Sequence, residues 1–395
     1  HMSLDKGRAF GINPKLSGTK TKTVDRILNA DIYKKKEVRD NFNELTLKFK
    51  GNYRIVFRAY NEGIAYRFES DIKGDIIVEN ELSEFNFLHD AKAYIPYVRD
   101  NVATLESQFG NPFENIYKYE NISQWDTSRI AFLPLLVEGR NGKKLCILEA
   151  DLLNYPGMYL YNGDGSNTLK SVFAPYPKEV EQGGYLNLQG LVKSREPYIA
   201  KVSGVTSFPW RIMVVSENDK ELADNDMVFK LATRPQGDFS WVKPGKAAWE
   251  WWHAWNLLGV DFKTGINNET YKCYIDFASR YGVEYILLDD GWSPKNEADL
   301  FKVVPELDLP ELVRYGKERN VGLILWAGYY PFDRDMESVC KYYSEMGIKG
   351  FKVDYMERDD QLMVDFHHRA AEVAAKYKLL LDLHGTYKPT GLQCT

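Results

Sequence analysis

Cysteine is scarce in this sequence. Four cysteines (Cys146, Cys273, Cys340 and Cys394) scattered over 395 residues cannot build a disulfide framework. None belongs to a CxxC pair or a Cys/His cluster, so no zinc site is signalled. No run approaches the roughly 18 consecutive apolar residues that a membrane-spanning helix needs. Excess positive charge is also missing: 51 Lys and Arg stand against 56 Asp and Glu, a net charge of −5. That balance gives no support for nucleic-acid binding. A GxGxxG phosphate loop is absent, which removes the usual fingerprint of a dinucleotide-binding sheet. What is abundant is aromatic: 26 Tyr, 20 Phe and 9 Trp. All-β domains and sugar-binding proteins share that enrichment, and it does not choose between them. The length allows two or three domains with full cores. His1-Met2-Ser3-Leu4 reads as a remnant of expression, so the N-terminus says nothing about a leader.

The first half reads as β-structure. Asn43–Lys50 alternates polar and apolar residues, and Tyr53–Tyr60 does so more loosely. Asn61-Glu62-Gly63 separates that run from Ile64–Phe68, which predicts a hairpin. Similar runs recur at Leu145–Glu149, Tyr198–Val202 and Trp210–Val215, with no long helix between them. An antiparallel β-sandwich over residues 5–238 is the natural reading. Residues 239–246 read as a linker. From 247 to 395 the pattern changes to strand–helix repetition. Apolar runs at Ala247–Trp252, Val283–Asp289, Val321–Trp326, Gly350–Asp354 and Leu379–Leu383 alternate with amphipathic stretches at Asn268–Tyr281, Leu309–Arg319, Arg334–Met346 and Gln361–Lys376. Each run ends in polar or aromatic residues, which favours a (β/α)8 TIM-type barrel over a doubly wound sheet. Only five strand–helix units fit, so the barrel is expected to be incomplete within this sequence and to continue beyond residue 395.

Three strand ends carry carboxylates: Glu250, Asp289 with Asp290, and Asp354. A barrel gathers such ends around one pocket, and paired carboxylates are what glycoside hydrolysis requires. Trp252, Trp292 and Trp326 lie near the same ends, where flat rings suit the C–H faces of sugars. Filling an interface between the two halves is the alternative use for those rings. Lys352 precedes Asp354 by two residues and favours its ionised form, as a nucleophile needs. Asp354 otherwise caps a turn, and Asp289-Asp290-Gly291 otherwise serves turn geometry alone. His384, at the fifth strand end, is a substrate hydrogen-bonding candidate or a satisfied structural residue.

These segments resemble glycoside hydrolase family 97. The likeness rests on Lys246–Trp252, Leu287-Leu-Asp-Asp-Gly-Trp292, Ile324–Tyr330, Gly350-Phe-Lys-Val-Asp354 and His384–Gly391, with Leu148–Met158 in the first half. The resemblance implies a β-sandwich joined to a (β/α)8 barrel and a small C-terminal β domain. It implies calcium-dependent α-glucosidases or α-galactosidases, periplasmic or secreted, mostly of Bacteroidetes. Inverting members carry base glutamates after the third strand and directly after the His of the fifth. Here Trp326-Ala327-Gly328-Tyr329 and His384-Gly385 stand at those places. Retaining members carry an Asp nucleophile at the end of the fourth strand, where Asp354 lies.

The implied activity is that of a retaining α-galactosidase acting on terminal α-galactosides of oligosaccharides. Asp354 would form a covalent glycosyl-enzyme. A glutamic acid about 5–5.5 Å away would serve as acid and then base, and the resemblance places it beyond residue 395. Trp252, Asp289, Asp290, Trp292, Trp326, Lys352, Arg358, His384 and Lys388 are the expected substrate-binding residues. Glu149 is the expected calcium ligand from the sandwich. An α-glucosidase and a non-catalytic sugar-binding homologue are the competing readings.

Overall fold

The computed structural model describes residues 1–30, 32–99, 104–235 and 237–392. Strands Leu16–Asn29, Glu37–Phe49, Tyr53–Tyr60 and Gly63–Glu81 run antiparallel, each beside the next. The sheet continues through Trp210–Ser216, Lys144–Ala150, Leu135–Glu138, Lys92–Ile95 and Lys118–Asn121. The two-residue period is visible in Glu37–Phe49, where Val38, Asp40 and Phe42 face inward and their neighbours face out. The expected hairpin is tighter than the sequence suggested, because Tyr60 pairs directly with Gly63. A Cβ on Gly63 would stand 2.5 Å from the Met213 carbonyl oxygen, which explains the glycine. Strands Glu84–Asn86, Met158–Tyr161 and Thr168–Phe173 form a second sheet. Its Phe85, Leu160, Leu169 and Phe173 pack on Ile76, Val78, Ile95 and Ile147 of the first.

Two features of this half go beyond the expected pattern. Met2–Leu4 is a strand paired with Gly63–Glu81, and Met2 and Leu4 are fully buried. Their alternation delivers two apolar side chains to the core. A separate two-stranded ribbon, Pro177–Gly183 with Gln189–Arg195, was not anticipated as an element. Its tip leaves the sandwich and reaches the second half.

Residues 239–246 carry neither helix nor strand. Beyond them lie five parallel strands: β1 (Ala247–Trp249), β2 (Tyr285–Leu288), β3 (Gly322–Gly328), β4 (Gly350–Asp354) and β5 (Leu380–Leu383). They are neighbours in chain order, as in a barrel; a doubly wound sheet reverses its order partway. Helices α1 (Asn268–Tyr281), α2 (Leu309–Lys317), α3 (Tyr329–Met346) and α4 (Gln361–Lys376) connect successive strands. The result is an incomplete TIM-type barrel.

Local chemistry sets these helix boundaries. The side chains of Asn267, Asp308 and Asp360 accept from backbone amides at the starts of α1, α2 and α4. Gly282 ends α1 in the left-handed conformation, φ 65°. Helix α3 begins five residues before the expected Arg334. Pro331 falls in its first turn, where a missing N–H breaks no intrahelical bond. Among the described residues no helix is long and apolar enough to cross a membrane. The two halves share packing: Val364 of α4 and Tyr387 belong to the core of the sandwich.

Candidate active site

The C-terminal ends of β1 to β5 converge as a barrel requires. Asp354 closes β4. Its Oδ2 accepts from the Trp326 indole at 3.2 Å and lies 3.1 Å from His384 Nδ1. Its Oδ1 accepts from the Tyr355 amide at 2.7 Å. Burial alone would raise this carboxyl. The hydrogen bond and charge of His384, with those donated by Trp326 and Tyr355, instead hold it below the ordinary carboxylate value. His384 is shifted the other way, raised by the same hydrogen bond against its burial. Gly385 makes room for this arrangement: a Cβ there would stand 3.0 Å from Asp354 Oδ1.

Beside Asp354 lies a second carboxylate system. Lys352 Nζ is 2.7 Å from Asp289 Oδ2 and 4.0 Å from Asp354 Oδ2. Lys352 also lies over the Trp249 ring, 4.3 Å from its centroid. The Trp249 indole donates to Asp289 Oδ2 at 2.6 Å. Asp289 Oδ1 accepts from the Asp290 amide at 2.8 Å. Asp290 is half-buried, which raises its carboxyl; Lys295 opposes the shift, while Asp289 and Asp354 add to it.

Behind Asp289 sits Glu250, which is buried. Its Oε1 accepts from the Asp289 amide at 2.8 Å and from the Tyr271 hydroxyl at 2.9 Å. Its Oε2 is buried with no hydrogen-bond partner among the described residues. Burial pushes this carboxyl up to about 7 despite the two donors. A neutral acid is the form that tolerates such a place, because an unpaired buried charge costs far more than an unpaired hydroxyl.

The structure therefore brings together Asp289, Asp290, Trp326, Lys352, Asp354 and His384. Trp252 lies at the same end, largely exposed, its ring 5.9 Å from that of Trp249. Three expected substrate-binding residues lie elsewhere. Trp292 is fully buried, donates to the Trp326 carbonyl at 2.8 Å and packs edge-on against Tyr343. It fills the layer between sheet and helices and presents no face to a sugar. Arg358 is buried, donates to the Gly190 carbonyl at 3.0 Å and pairs with Asp360 at 3.3 Å. It ties the barrel to the ribbon. Lys388 is buried against Glu149 and 3.8 Å from Asp359.

Glu149 is held by cations. Arg211 and Lys388 both pair with its carboxylate, and the Met158 amide donates to Oε1 at 2.9 Å. A calcium ion takes roughly six to eight oxygen ligands. Among the described residues no group of three or more His, Cys, Asp or Glu side chains is placed to hold a metal. Glu149, occupied by two cations, does not fit a calcium ligand.

Sequence reading missed Trp249, Tyr355 and the ribbon tip. Trp249 had a signal, since it ends β1 and directly precedes Glu250. Tyr355 had a weaker one, its place directly after Asp354. The ribbon had none, because its contacts bridge some 168 residues of chain.

Residues 1–234 match the family description "Glycosyl-hydrolase 97 N-terminal", and residues 249–395 match "Glycoside hydrolase 97". A retaining alpha-galactosidase of Bacteroides thetaiotaomicron is 53% identical over 396 residues, covering 100% of this chain and 60% of the relative. The chain thus spans about three fifths of that relative's length. A Glycoside Hydrolase Family 97 enzyme in complex with acarbose, from Pseudoalteromonas sp. strain K8, has the same fold: TM-score 0.82, 22% identity, coverage 100% of this chain and 62% of that one. A beta-arabinopyranosidase structure superimposes with TM-score 0.81 at 21% identity, with the same coverage.

Proposed function

Because the chain belongs to glycoside hydrolase family 97, we propose that it serves the hydrolysis of terminal α-galactosides with retained anomeric configuration. The observation that carries this reading is Asp354. It stands at a strand end with its charge stabilised by His384, Trp326 and the Tyr355 amide. Asp354 attacks the anomeric carbon as the glycosidic bond breaks, and the leaving oxygen takes a proton from a carboxylic acid on a later strand. Water then attacks the glycosyl-enzyme, and that same group, now a base, removes its proton. Lys352 and Asp289 hold sugar hydroxyls beside the nucleophile, and Asp290 faces the same pocket. The 53% identical retaining alpha-galactosidase supports the substrate class. No step is routed through calcium, since Glu149 is held by Arg211 and Lys388. Export to the periplasm or beyond is part of the proposal and rests on the family alone.

The test is the first-formed product of the full-length enzyme, followed by proton NMR during hydrolysis of an aryl α-galactoside. α-Galactose appearing before mutarotation supports the reading. β-Galactose appearing first overturns the assignment of Asp354. Faster turnover of the α-glucoside would favour the glucosidase reading, and absence of all turnover would favour a sugar-binding protein.

A further inference from the structure

The ribbon tip is fixed against the nucleophile's strand end more firmly than a surface hairpin needs. The Leu188 carbonyl accepts from the Tyr330 amide at 2.9 Å, and the Gly190 carbonyl accepts from Arg358 at 3.0 Å. Gln189 does two jobs. Its amide nitrogen donates to Glu357 at 3.0 Å, and its oxygen accepts from the Tyr185 amide at 3.1 Å. Leu188 is buried against Trp326 and Ala298. Both sides of this seam hold non-glycine residues in the left-handed region: Leu186 (φ 50°) and Asn187 (φ 60°) on the ribbon, Tyr355 (φ 67°) and Glu357 (φ 49°) on the barrel. Such backbone persists where its surroundings impose it, and it clusters at active sites and ligand clamps.

The seam presents two rings. Tyr185 is 50% exposed at the tip, and its centroid lies 5.3 Å from that of Tyr355. Tyr355 in turn packs edge-on against Trp326 at 6.0 Å, and Trp326 donates to Asp354. An unbroken aromatic path therefore leads from the nucleophile to solvent on the ribbon side. The ammonium of Lys352, reaching across from β4, meets Asp289 and Trp249 on the side of β1 and β2. A sugar held by its hydroxyls at those groups, with its anomeric carbon at Asp354, directs its leaving group toward the ribbon.

We propose that Tyr185 and Tyr355 form the aromatic wall of a leaving-group subsite, so that the sandwich domain sets preference for what is attached to the galactose. The ligand class is a second pyranose ring or an aryl group, whose flat face suits a tyrosine ring. The proposal rests on the galactosidase reading above.

Two measurements on the full-length enzyme test it. The first compares kcat/KM for methyl α-galactoside and for a trisaccharide ending in α-galactose. Tyr185→Ala should lower the trisaccharide-to-methyl ratio about tenfold, through KM, whereas Tyr185→Phe keeps the ratio. The second is calorimetric titration of the Asp354→Asn form with galactose and with the trisaccharide. The trisaccharide should bind more tightly, and Tyr185→Ala should remove that advantage. A ratio unchanged within about twofold, a Phe variant that behaves as Ala, or equal binding of the two sugars overturns the wall. Absence of turnover of any galactoside by the native enzyme defeats the functional reading instead, and the titration still decides the wall.

Discussion

Asp354 and His384 meet across the ends of two neighbouring strands, carboxylate Oδ2 to imidazole Nδ1, at 3.1 Å. An ionised carboxylate only accepts, so the proton of this bond sits on Nδ1. The pairing joins the last residue of β4 to the residue after β5, and parallel register places them together: Val353 pairs with Leu383. The bond lowers Asp354 and raises His384, which keeps the Asp354 carboxylate charged as the pH falls.

His384→Ala is expected to weaken that protection. In the proposed mechanism Asp354 must be ionised to attack, and its folded value lies below the ordinary carboxylate range. Loss of the hydrogen bond and the His charge moves that value up, so the acid limb of the kcat/KM profile shifts to higher pH. An unchanged acid limb would show that this bond does not govern the ionisation on which the reaction depends.

Lys352→Met removes the buried partner of Asp289. The pair is separated by 2.7 Å with both side chains almost fully buried. Leaving one such charge without its partner costs about 3–5 kcal/mol. The variant should unfold at lower denaturant and show a raised KM for galactosides, since it breaks the pair proposed to hold the sugar. A urea titration and initial-rate kinetics check the two effects separately.

Glu250 makes stability depend on pH. Its ordinary value of 4.5 becomes about 7 in the folded protein. The folded state therefore holds its proton more tightly than the unfolded one. Its contribution is fully present below 4.5 and is lost as the pH rises through about 7. Glu250→Gln is neutral at every pH and retains an oxygen for the Asp289 amide and Tyr271. Thermal melts across that window should fall with rising pH in the native protein and fall less in the variant. The difference is on the order of 3 kcal/mol. Parallel curves would show that Glu250 is not the group responsible.

Arg211→Met isolates the buried network of the sandwich. Arg211 pairs with Glu81 at 2.8 Å and also with Glu149, all three essentially without solvent. Removing Arg211 strands Glu81 and leaves Glu149 with Lys388 as its cation, and about 3–5 kcal/mol of stability should be lost. Chemical denaturation reads this loss. Replacing Glu81 and Glu149 together with glutamine in the same background should recover part of it.

How much of this was legible in the sequence follows from the range of each interaction. Helices α1 and α4 match their expected spans, because capping side chains and 3.6-residue periodicity are local signals. Asp354 was legible because a short apolar run ends on it. The placement of Arg358 and Lys388 away from the strand-end cluster was illegible for a different reason. Their partners, the Gly190 carbonyl and Glu149, sit far away in sequence, and no spacing rule reports a contact of that length. Trp292 misled because a strand-end tryptophan serves a pocket or a core equally well; the direction of its side chain decides, and that is a tertiary property.

Val364 and Tyr387, which complete the sandwich core from the barrel side, bear on how this architecture can be recombined. A chimaera that grafts one relative's catalytic half onto another's N-terminal half replaces two core residues of the recipient and breaks the seam with the ribbon. Such halves are not interchangeable cassettes. Exchange succeeds only when both surfaces are carried over together, so variation in leaving-group preference should be inherited along with changes on each side of this boundary.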